Sequence, residues 1–264
     1  MDKKKDQHIA LCTDSVDHAR QLLPQAQSLA ASLRKGLILF SCAPDADSWA
    51  PSLGVPFAVL KSDWPTVVES LPTLFNAVLA VIPSDLQASA KSSAHPRQIL
   101  RNFRQSKTAY LLLPVHAPLP SPFAPTTVAL TLNHQRESKE KLLWASYFAR
   151  FCHSRIVVRH HPYTDPAFLR RLQDNLRYLD KVFASLGLDY QIQPLADGNQ
   201  FADPDPKAIL TPGVDLFIAL VPDQRDRDLL DLLAPPPSLR LVKKNPTHPI
   251  LFLNQRDDLY IMCD

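Results

Sequence analysis

The chain has 264 residues, which is enough for one large domain or for two of about 130 residues. Its hydrophobic fraction of 45% is typical of a globular protein with a real core, and no stretch approaches the roughly 20 apolar residues of a membrane span. The net charge of +3, with both signs well mixed, is too weak to indicate nucleic-acid binding. The N-terminus shows no apolar signal-peptide core, so we expect a cytoplasmic protein with neither a membrane nor a nucleic acid as partner.

Apolar periodicity predicts two successive sets of alternating strands and helices. The first set is strand 8–13, helix 16–34, strand 36–42, strand 55–61, a short helix near 65–75, strand 77–82, helix 95–106 and strand 109–114. The second set is strand 127–132, helix 136–152, strand 155–160, helix 166–186, strand 188–194, a short helix near 205–211, strand 214–221, a proline-broken helical region 225–244 and strand 248–253, with a further short strand at 259–262. Strands that alternate with amphipathic helices imply a parallel sheet covered on both faces.

The two sets also match each other in sequence. Ile9 falls on Val128 at an offset of 119, and the apolar positions of the helix that follows keep this register for about thirty residues. A later block matches at an offset of 139, with Val78 on Phe217. The second copy therefore carries 20 extra residues, and the helical stripe at 166–186 accounts for them. At that place the first copy is short and rich in proline, so its middle helix is predicted to be shortened or lost.

A proline-rich segment at 114–125 separates the two copies. Proline at this density neither pairs within a sheet nor continues a helix, so the segment reads as a semi-rigid extended linker. We therefore predict a first repeat at 1–115, a linker at 116–125 and a second repeat at 126–264. Because the linker is short, we expect the two copies to be docked.

The first strand ends in Cys12-Thr13-Asp14-Ser15, and a helix then leads through Gly36 into the second strand. Each copy closes on an apolar strand, at 107–114 and at 245–253. Over nearly the whole chain these features resemble the universal stress protein family. The resemblance implies two tandem flavodoxin-like (adenine-nucleotide α-hydrolase-like) α/β domains, each with a doubly wound, mostly parallel sheet of five strands. It also implies pairing of final strands between domains, as a pseudo-dimer within the chain or as a homodimer.

The ATP-binding members of that family carry G-x-x-G-x9-G-[ST] after the fourth strand. Glycines let the backbone approach the phosphates, and exposed N–H groups at a helix N-terminus hold the negative charge. The chain has five glycines: Gly36, Gly54, Gly187, Gly198 and Gly213. The corresponding windows, 84–97 and 223–238, contain none, and the second window carries four aspartates that would repel a triphosphate. We therefore expect no ATP binding of the family type and no other cofactor.

In doubly wound folds ligands bind beyond the carboxyl ends of the strands, at the switch point of the strand order. In the first copy this rule gives five candidate ligand contacts after the first and fourth strands: Thr13, Asp14, Ser15, Pro83 and Ser84. Asp14 matches the family position that contacts the adenine end of the nucleotide, and Asn133 is its counterpart in the second copy. Asp14 or Ser15 also fits as the N-cap of the following helix, and one residue can serve in both ways.

Two further groups of polar residues are candidate ligand contacts. Lys91 and Arg97 are candidate anion contacts, part of a group of basic residues around the predicted helix 95–106; a solvated helix face is the simpler interpretation. The pair His160-His161, close to Asp165, suggests a metal, but neighbouring residues of a strand point to opposite faces. We therefore expect a polar strand end and no metal site. No spacing indicates a nucleophile with its base, or paired carboxylates, so no catalytic residue is predicted.

These observations predict a non-enzymatic stress-response or regulatory protein of the universal stress protein type. It would act through protein contacts or through an unknown small ligand. The alternative is a nucleotide-binding or nucleotide-hydrolysing member of the adenine-nucleotide α-hydrolase-like group, with the nucleotide held by side chains such as Lys91 or Arg97. A third interpretation is a ligand-sensing module with its pocket at the switch point of the first copy.

Overall fold

A computed structural model of the chain shows two compact units, Met1–Ala124 and Pro125–Asp264. The structure describes residues 7–60, 70–84, 106, 108–115, 119, 122–135, 138–195, 211–221, 241 and 247–254. Several predicted elements therefore lie wholly or mostly outside the described residues: helix 95–106, the helices near 205–211 and 225–244, and strand 259–262. The assignment of residues 116–125 as a linker stays a prediction.

The described part of unit 1 contains five parallel strands in the order β3-β2-β1-β4-β5. These strands are β1 (His8–Cys12), β2 (Gly36–Ser41), β3 (Phe57–Val59), β4 (Ala77–Pro83) and β5 (Ala109–Leu113). Its described helices include α1 (Val16–Leu33) and the four-residue α2 (Ala46–Trp49), which continues into a 3₁₀ turn at Ala50–Leu53. Residues 70–74 are also helical. The strand order reverses between β1 and β4, which makes this the switch point.

Unit 2 repeats this order as β10-β9-β6-β7-β8, again with parallel pairs. Its strands are β6 (Thr127–Leu132), β7 (Arg155–His160), β8 (Tyr190–Pro194), β9 (Leu216–Leu220) and β10 (Ile250–Leu253). Its described helices are α3 (Ser138–Cys152) and α4 (Pro166–Leu186). The predicted fold class, tandem flavodoxin-like α/β units with five-stranded parallel sheets, is confirmed. Observed ends differ from the predicted ones by one or two residues at most strands, as is usual where elements fray.

The helix α4 forms because its ends are well specified. Asp165 is the N-cap, and its Oδ1 accepts hydrogen bonds from the backbone N–H groups of Ala167 at 2.7 Å and Phe168 at 3.2 Å. Pro166 takes the first helical position, where its missing N–H is harmless. Gly187 ends the helix with a φ of 62°, a left-handed conformation that glycine adopts without strain. In the corresponding part of unit 1 only α2 and its 3₁₀ turn are found.

The register of the strands fixes how the two units correspond. Ile9 pairs with Leu37 and Val128 pairs with Ile156, so the offset of 119 holds for the first two strands of each unit. For the later strands the offset of 139 is wrong. Ile9 also pairs with Leu79, whereas Val128 pairs with Leu216, 137 positions after Leu79. Buried strands are apolar on both faces, so two such strands can be aligned two residues out of register and still match apolar with apolar residues.

The last strands show a second slip. The backbone N–H of Ser84 bonds to the carbonyl oxygen of Leu113, and that of Val221 bonds to the carbonyl oxygen of Leu253, each at 2.8 Å. Leu253 therefore corresponds to Leu113 and lies 140 positions later, one more than the sequence match gave.

The edge of unit 2 at which β6 begins depends on Asp215. One carboxylate oxygen accepts hydrogen bonds from Thr126 N at 2.9 Å, Thr126 Oγ1 at 2.6 Å and Thr127 N at 2.9 Å. Hydrogen bonds to a charged acceptor contribute about 1.5–3 kcal/mol each when well formed, and partial exposure reduces this.

We expect Asp215→Ala to lower the free energy of unfolding by about 1–3 kcal/mol, because two backbone donors and a hydroxyl lose their acceptor together. Urea unfolding followed by tryptophan fluorescence measures this. Asp174→Ala is the matched control, since Asp174 forms only an exposed ion pair with Arg177, worth about 0–0.5 kcal/mol. Equal effects of the two substitutions would contradict the role given to Asp215.

Candidate functional site

The loop after β1 in unit 1 is held mainly by its own hydrogen bonds. Thr13 is 1% exposed, and its backbone N–H donates to Phe40 O at 3.1 Å. Its hydroxyl oxygen lies 3.2 Å from Ser15 N, from which it accepts, and 3.3 Å from Ser15 O. Thr13 therefore shapes the turn from the inside, and its side chain is buried.

Ser15, and not Asp14, is the N-cap of α1. Ser15 has extended backbone angles (φ −126°, ψ 130°), and its Oγ accepts from His18 N at 3.4 Å. Oδ1 of Asp14 instead accepts from the backbone N–H of Cys42 at 2.9 Å. This bond ties the loop after β1 to the loop after β2. The sequence left Asp14 and Ser15 open as caps, since both residue types suit that position.

The other candidates in unit 1 lie after β4. Pro83 is the last residue of β4 and pairs with Leu113. Ser84 follows it and is 7% exposed. Because β1 and β4 are parallel neighbours, with Leu11 opposite Val81, the loops that begin at Thr13 and Ser84 start from the same edge of the sheet. Lys91 and Arg97, the candidate anion contacts, lie outside the described residues.

In unit 2 the corresponding loop is closed by bonds within the protein. Asn133 donates from Nδ2 to Gln135 Oε1 at 2.8 Å, and its Oδ1 accepts from Gln135 N at 3.0 Å and from the Ser138 hydroxyl. Asn175 on α4 is 3% exposed and donates to the carbonyl oxygens of Asn133 and Gln135, both at 2.9 Å. Helix α4, whose counterpart α2 in unit 1 has four residues, thus holds the loop at the switch point of unit 2.

A cluster of imidazole and aromatic rings surrounds this loop. His134 stacks on Phe168 with ring centroids 4.2 Å apart, and its Nδ1 lies 3.0 Å from the hydroxyl of Tyr163. Tyr163 in turn lies near His161, with a centroid distance of 5.9 Å. His161 is 5% exposed, and its Nδ1 has no hydrogen-bond partner among the residues that the structure describes. Sequence reasoning missed this cluster because its members come from three separate segments.

The electrostatics of the cluster disfavour further positive charge. Lys141 is 3% exposed, and its Nζ lies 3.4 Å from Thr131 Oγ1. Burial lowers the pKa of His161 below its ordinary value, and the charges of Lys141, His160 and His134 lower it further. Burial raises the pKa of the Tyr163 hydroxyl. Burial and the neighbouring charges therefore favour the uncharged form of the His161 ring.

His160 and His161 do not form a chelate. His160 is the last residue of β7, and its Nδ1 lies 3.1 Å from the carbonyl oxygen of His161. In the described part of the chain no three His, Cys, Asp or Glu side chains come together in a way that would hold a metal ion. Asp165, the third member of the sequence motif, is occupied as the N-cap of α4.

Unit 1 has a different chemistry at the equivalent positions. Thr131, Lys141 and His161 correspond, at the offset of 119, to Cys12, Leu22 and Cys42. Cys12 is 1% exposed, and burial raises the pKa of its thiol, with Cys42 and Asp14 adding to the effect. The two switch points therefore differ: unit 1 has one buried and one half-buried thiol, whereas unit 2 has a buried lysine and imidazole rings.

Comparisons with known proteins bear on the fold. No family model and no curated protein matches the sequence. A universal stress protein from Archaeoglobus fulgidus DSM 4304 superposes with a TM-score of 0.67 at 11% identity, covering 95% of this chain and 97% of that one. A Pseudomonas aeruginosa UCBPP-PA14 protein that carries the universal stress protein name gives 0.59 at 13% identity, with 97% and 95% covered.

The same architecture occurs in a further solved structure. The cytoplasmic domain of a prokaryotic cation chloride cotransporter gives a TM-score of 0.60 at 15% identity, covering 95% of this chain and 96% of that chain. The fold is thus that of the universal stress proteins, as the sequence resemblance implied. This chain carries it in two tandem units with the same strand order. Among the described residues, no helix is long and apolar enough to cross a membrane.

The capping assignment can be tested on α1. We expect Ser15→Ala to lower the free energy of unfolding by about 0.5–2 kcal/mol, because the N–H of His18 loses its acceptor. Gln27→Ala, at an exposed position in the middle of the same helix, is the control and should be neutral or slightly stabilising, since alanine favours the helix interior. Urea unfolding of both variants measures the difference. A Ser15→Ala variant as stable as the wild-type protein would rule out the cap.

The buried imidazole predicts a pH dependence. The unfolded chain takes up a proton on His161 near the ordinary pKa of 6.5, whereas the folded protein takes it up only at lower pH. The contribution of His161 to stability is therefore complete above pH 6.5 and falls as the pH drops below 6.5 toward the lower pKa of the folded state, by up to about 1.4 kcal/mol per pH unit for one proton. Urea unfolding at several pH values measures it. The fall should be smaller in His161→Gln and unchanged in His153→Gln, an exposed histidine. Identical pH profiles of His161→Gln and the wild-type protein would contradict this.

Proposed function

We propose that this chain is a non-catalytic regulatory protein of the universal stress protein type that acts through protein contacts or an unknown small ligand. The observation that carries the proposal is the absence of glycine from residues 55–186 and from 214 onward. The loops that follow β4 and β9, where the family places its phosphate-binding glycines, begin within these stretches. A side chain at those positions keeps the backbone farther from a phosphate than glycine does.

The polar groups at both switch points support this proposal. In unit 1 the Asp14 carboxylate bonds to the backbone N–H of Cys42, and the Thr13 hydroxyl bonds within its own turn. In unit 2 the Asn133 side chain bonds to Gln135 and Ser138. A nucleotide that used these atoms would have to break bonds that hold the loops, at a cost of about 0.5–1.5 kcal/mol for each neutral bond.

The same proposal covers catalysis and assembly. We assign no catalytic residue and no cofactor, because the described side chains at the switch points shape loops and pack together, and none of these described side chains forms a nucleophile–base pair. We propose protein partners or self-association as a homodimer, by analogy with the strand pairing that the family uses. A fold alone does not define a partner, and the same fold serves as the cytoplasmic domain of a cotransporter.

One observation favours a second function, the binding or hydrolysis of a nucleotide by side chains instead of glycine loops. Lys141 and His161 of unit 2 are both buried near the carboxyl ends of β6 and β7, and Arg159, two residues before His161, donates from a terminal nitrogen to Thr211 Oγ1 at 2.9 Å. A buried cation favours an anion in its neighbourhood. In unit 1 the corresponding role would fall to Lys91 and Arg97.

A thermal-shift titration separates the two functions. ATP, ADP and AMP are each added at millimolar concentration, with and without magnesium, and inorganic phosphate serves as the control for an unspecific anion effect. We expect no rise in melting temperature with any nucleotide. A ligand at 100 times its dissociation constant adds about 2.7 kcal/mol of stability, which the method detects.

A rise with nucleotide that phosphate does not reproduce would overturn the proposal and support the second function. The variants Lys141→Met and Arg97→Ala would then show which unit holds the nucleotide, since each removes a cation from only one of them.

A further inference from the structure

Helix α3 of unit 2 carries an aromatic stripe, which consists of Trp144, Tyr147 and Phe151. These positions share one face of the helix by their i, i+3, i+7 spacing. The ring centroids of Trp144 and Tyr147, and those of Tyr147 and Phe151, lie 5.9 Å apart. Tyr147 is 46% exposed, although large aromatic side chains are usually more deeply buried. The guanidinium of Arg150 lies 5.2 Å from the Phe151 ring.

The equivalent face of α1 in unit 1 is covered. At the offset of 119, Trp144, Tyr147 and Phe151 correspond to Gln25, Ser28 and Ser32. The six shared buried positions of the two helices confirm that their orientations match. These pairs are Ala19 with Ser138, Leu22 with Lys141, Leu23 with Leu142, Ala26 with Ala145, Leu29 with Phe148 and Ala30 with Ala149.

The cover on α1 is the chain that follows the last strand of unit 1. The side chain of Gln21 donates to the carbonyl oxygen of Val115, and Ser28 Oγ donates to that of Phe123 at 3.3 Å. Val115 and Phe123 are 4% and 0% exposed. Polar side chains on this face thus bind the carbonyl groups of a proline-rich segment, which has few N–H groups of its own.

In the sequence of unit 2, the segment that follows the last strand has a comparable length and an apolar run. Phe123 is the tenth residue after the end of β5 at Leu113, and Cys263 is the tenth after the end of β10 at Leu253. The segment 255–264, which lies outside the described residues, contains the apolar run Leu259-Tyr260-Ile261-Met262. An apolar run suits an aromatic face, as the proline-rich segment suits a face of Gln and Ser.

We propose that segment 255–264 docks across the aromatic stripe of α3, with residues 259–262 on Trp144, Tyr147 and Phe151 and with Cys263 close to Tyr147. Tethering favours this occupant over a second copy of the chain, because a short tether gives an effective concentration in the millimolar range. Asp257 and Asp258 in the same segment complement Arg150 on the helix. Removing residues 255–264 would leave the stripe open to other apolar surfaces.

Disulfide trapping in the chain of 264 residues tests the proposal. Tyr147→Cys is introduced together with Cys42→Ser and Cys152→Ser, which leaves Cys263 and the buried Cys12. A disulfide needs Cα atoms within about 7 Å, so it reports close approach. We expect mild oxidation to join Cys263 to the introduced cysteine within one chain, as seen by peptide mass spectrometry. Gln173→Cys on the exposed face of α4 is the matched control and should form little of this disulfide.

Two outcomes would overturn the proposal. One is a disulfide that joins two chains, which would mean that a second copy covers the stripe. The other is equal trapping at Tyr147→Cys and Gln173→Cys, or none at either, which would place the segment elsewhere. Fluorescence gives an independent readout if trapping perturbs the fold. In a Trp49→Phe, Trp64→Phe background, Ile261→Asp should raise acrylamide quenching of Trp144 about twofold or more, and Asp264→Asn should leave it unchanged. Unchanged quenching in Ile261→Asp would also overturn the proposal.

Discussion

Burial of a central strand on both faces is the constraint on which each unit depends. Ile9, Ala10 and Leu11 of β1 are 0% exposed, as are Val128, Ala129 and Leu130 of β6. A strand in this position has no polar face, so helices must cover the sheet and every backbone group must pair with a neighbouring strand. The parallel order on either side of β1 and β6, and the switch point beside each, follow from this requirement.

That same constraint decided how far the sequence could predict the structure. The offset of 119 was found correctly because α1 and α3 follow their strands directly, and a period of 3.6 residues in a long helix fixes the register. The offset of 139 was wrong because β4 and β9 are apolar throughout, as in Leu79 and Ala80. An alignment of the two strands that is shifted by two residues therefore matches apolar with apolar residues equally well. The extra helix α4 was predicted because its apolar residues repeat with helical spacing over the whole of 166–186.

The site was harder to predict, for a physical reason. Thr13, Ser15 and Ser84 could be placed at the switch point, since the carboxyl ends of neighbouring parallel strands lie together. The different roles of Asp14 and Ser15 could not be predicted, because both side chains can accept hydrogen bonds from the same backbone donors. The cluster of His134, His161, Tyr163 and Phe168 depends on three segments that meet in space, and no local pattern predicts this. Of these residues, His161 alone was singled out from the sequence, as part of a possible metal-binding pair with His160.

Cys12 lies in the centre of unit 1, with its thiol enclosed and kept protonated by burial. A thiol reagent needs both access and a thiolate, so it modifies this residue only when β1 leaves the sheet. The rate at which Cys12 is labelled under native conditions therefore measures the local unfolding of β1 in unit 1. The equivalent strand of unit 2, β6, contains no cysteine and does not contribute. Cys12 thus reports the local unfolding of unit 1 without an engineered cysteine.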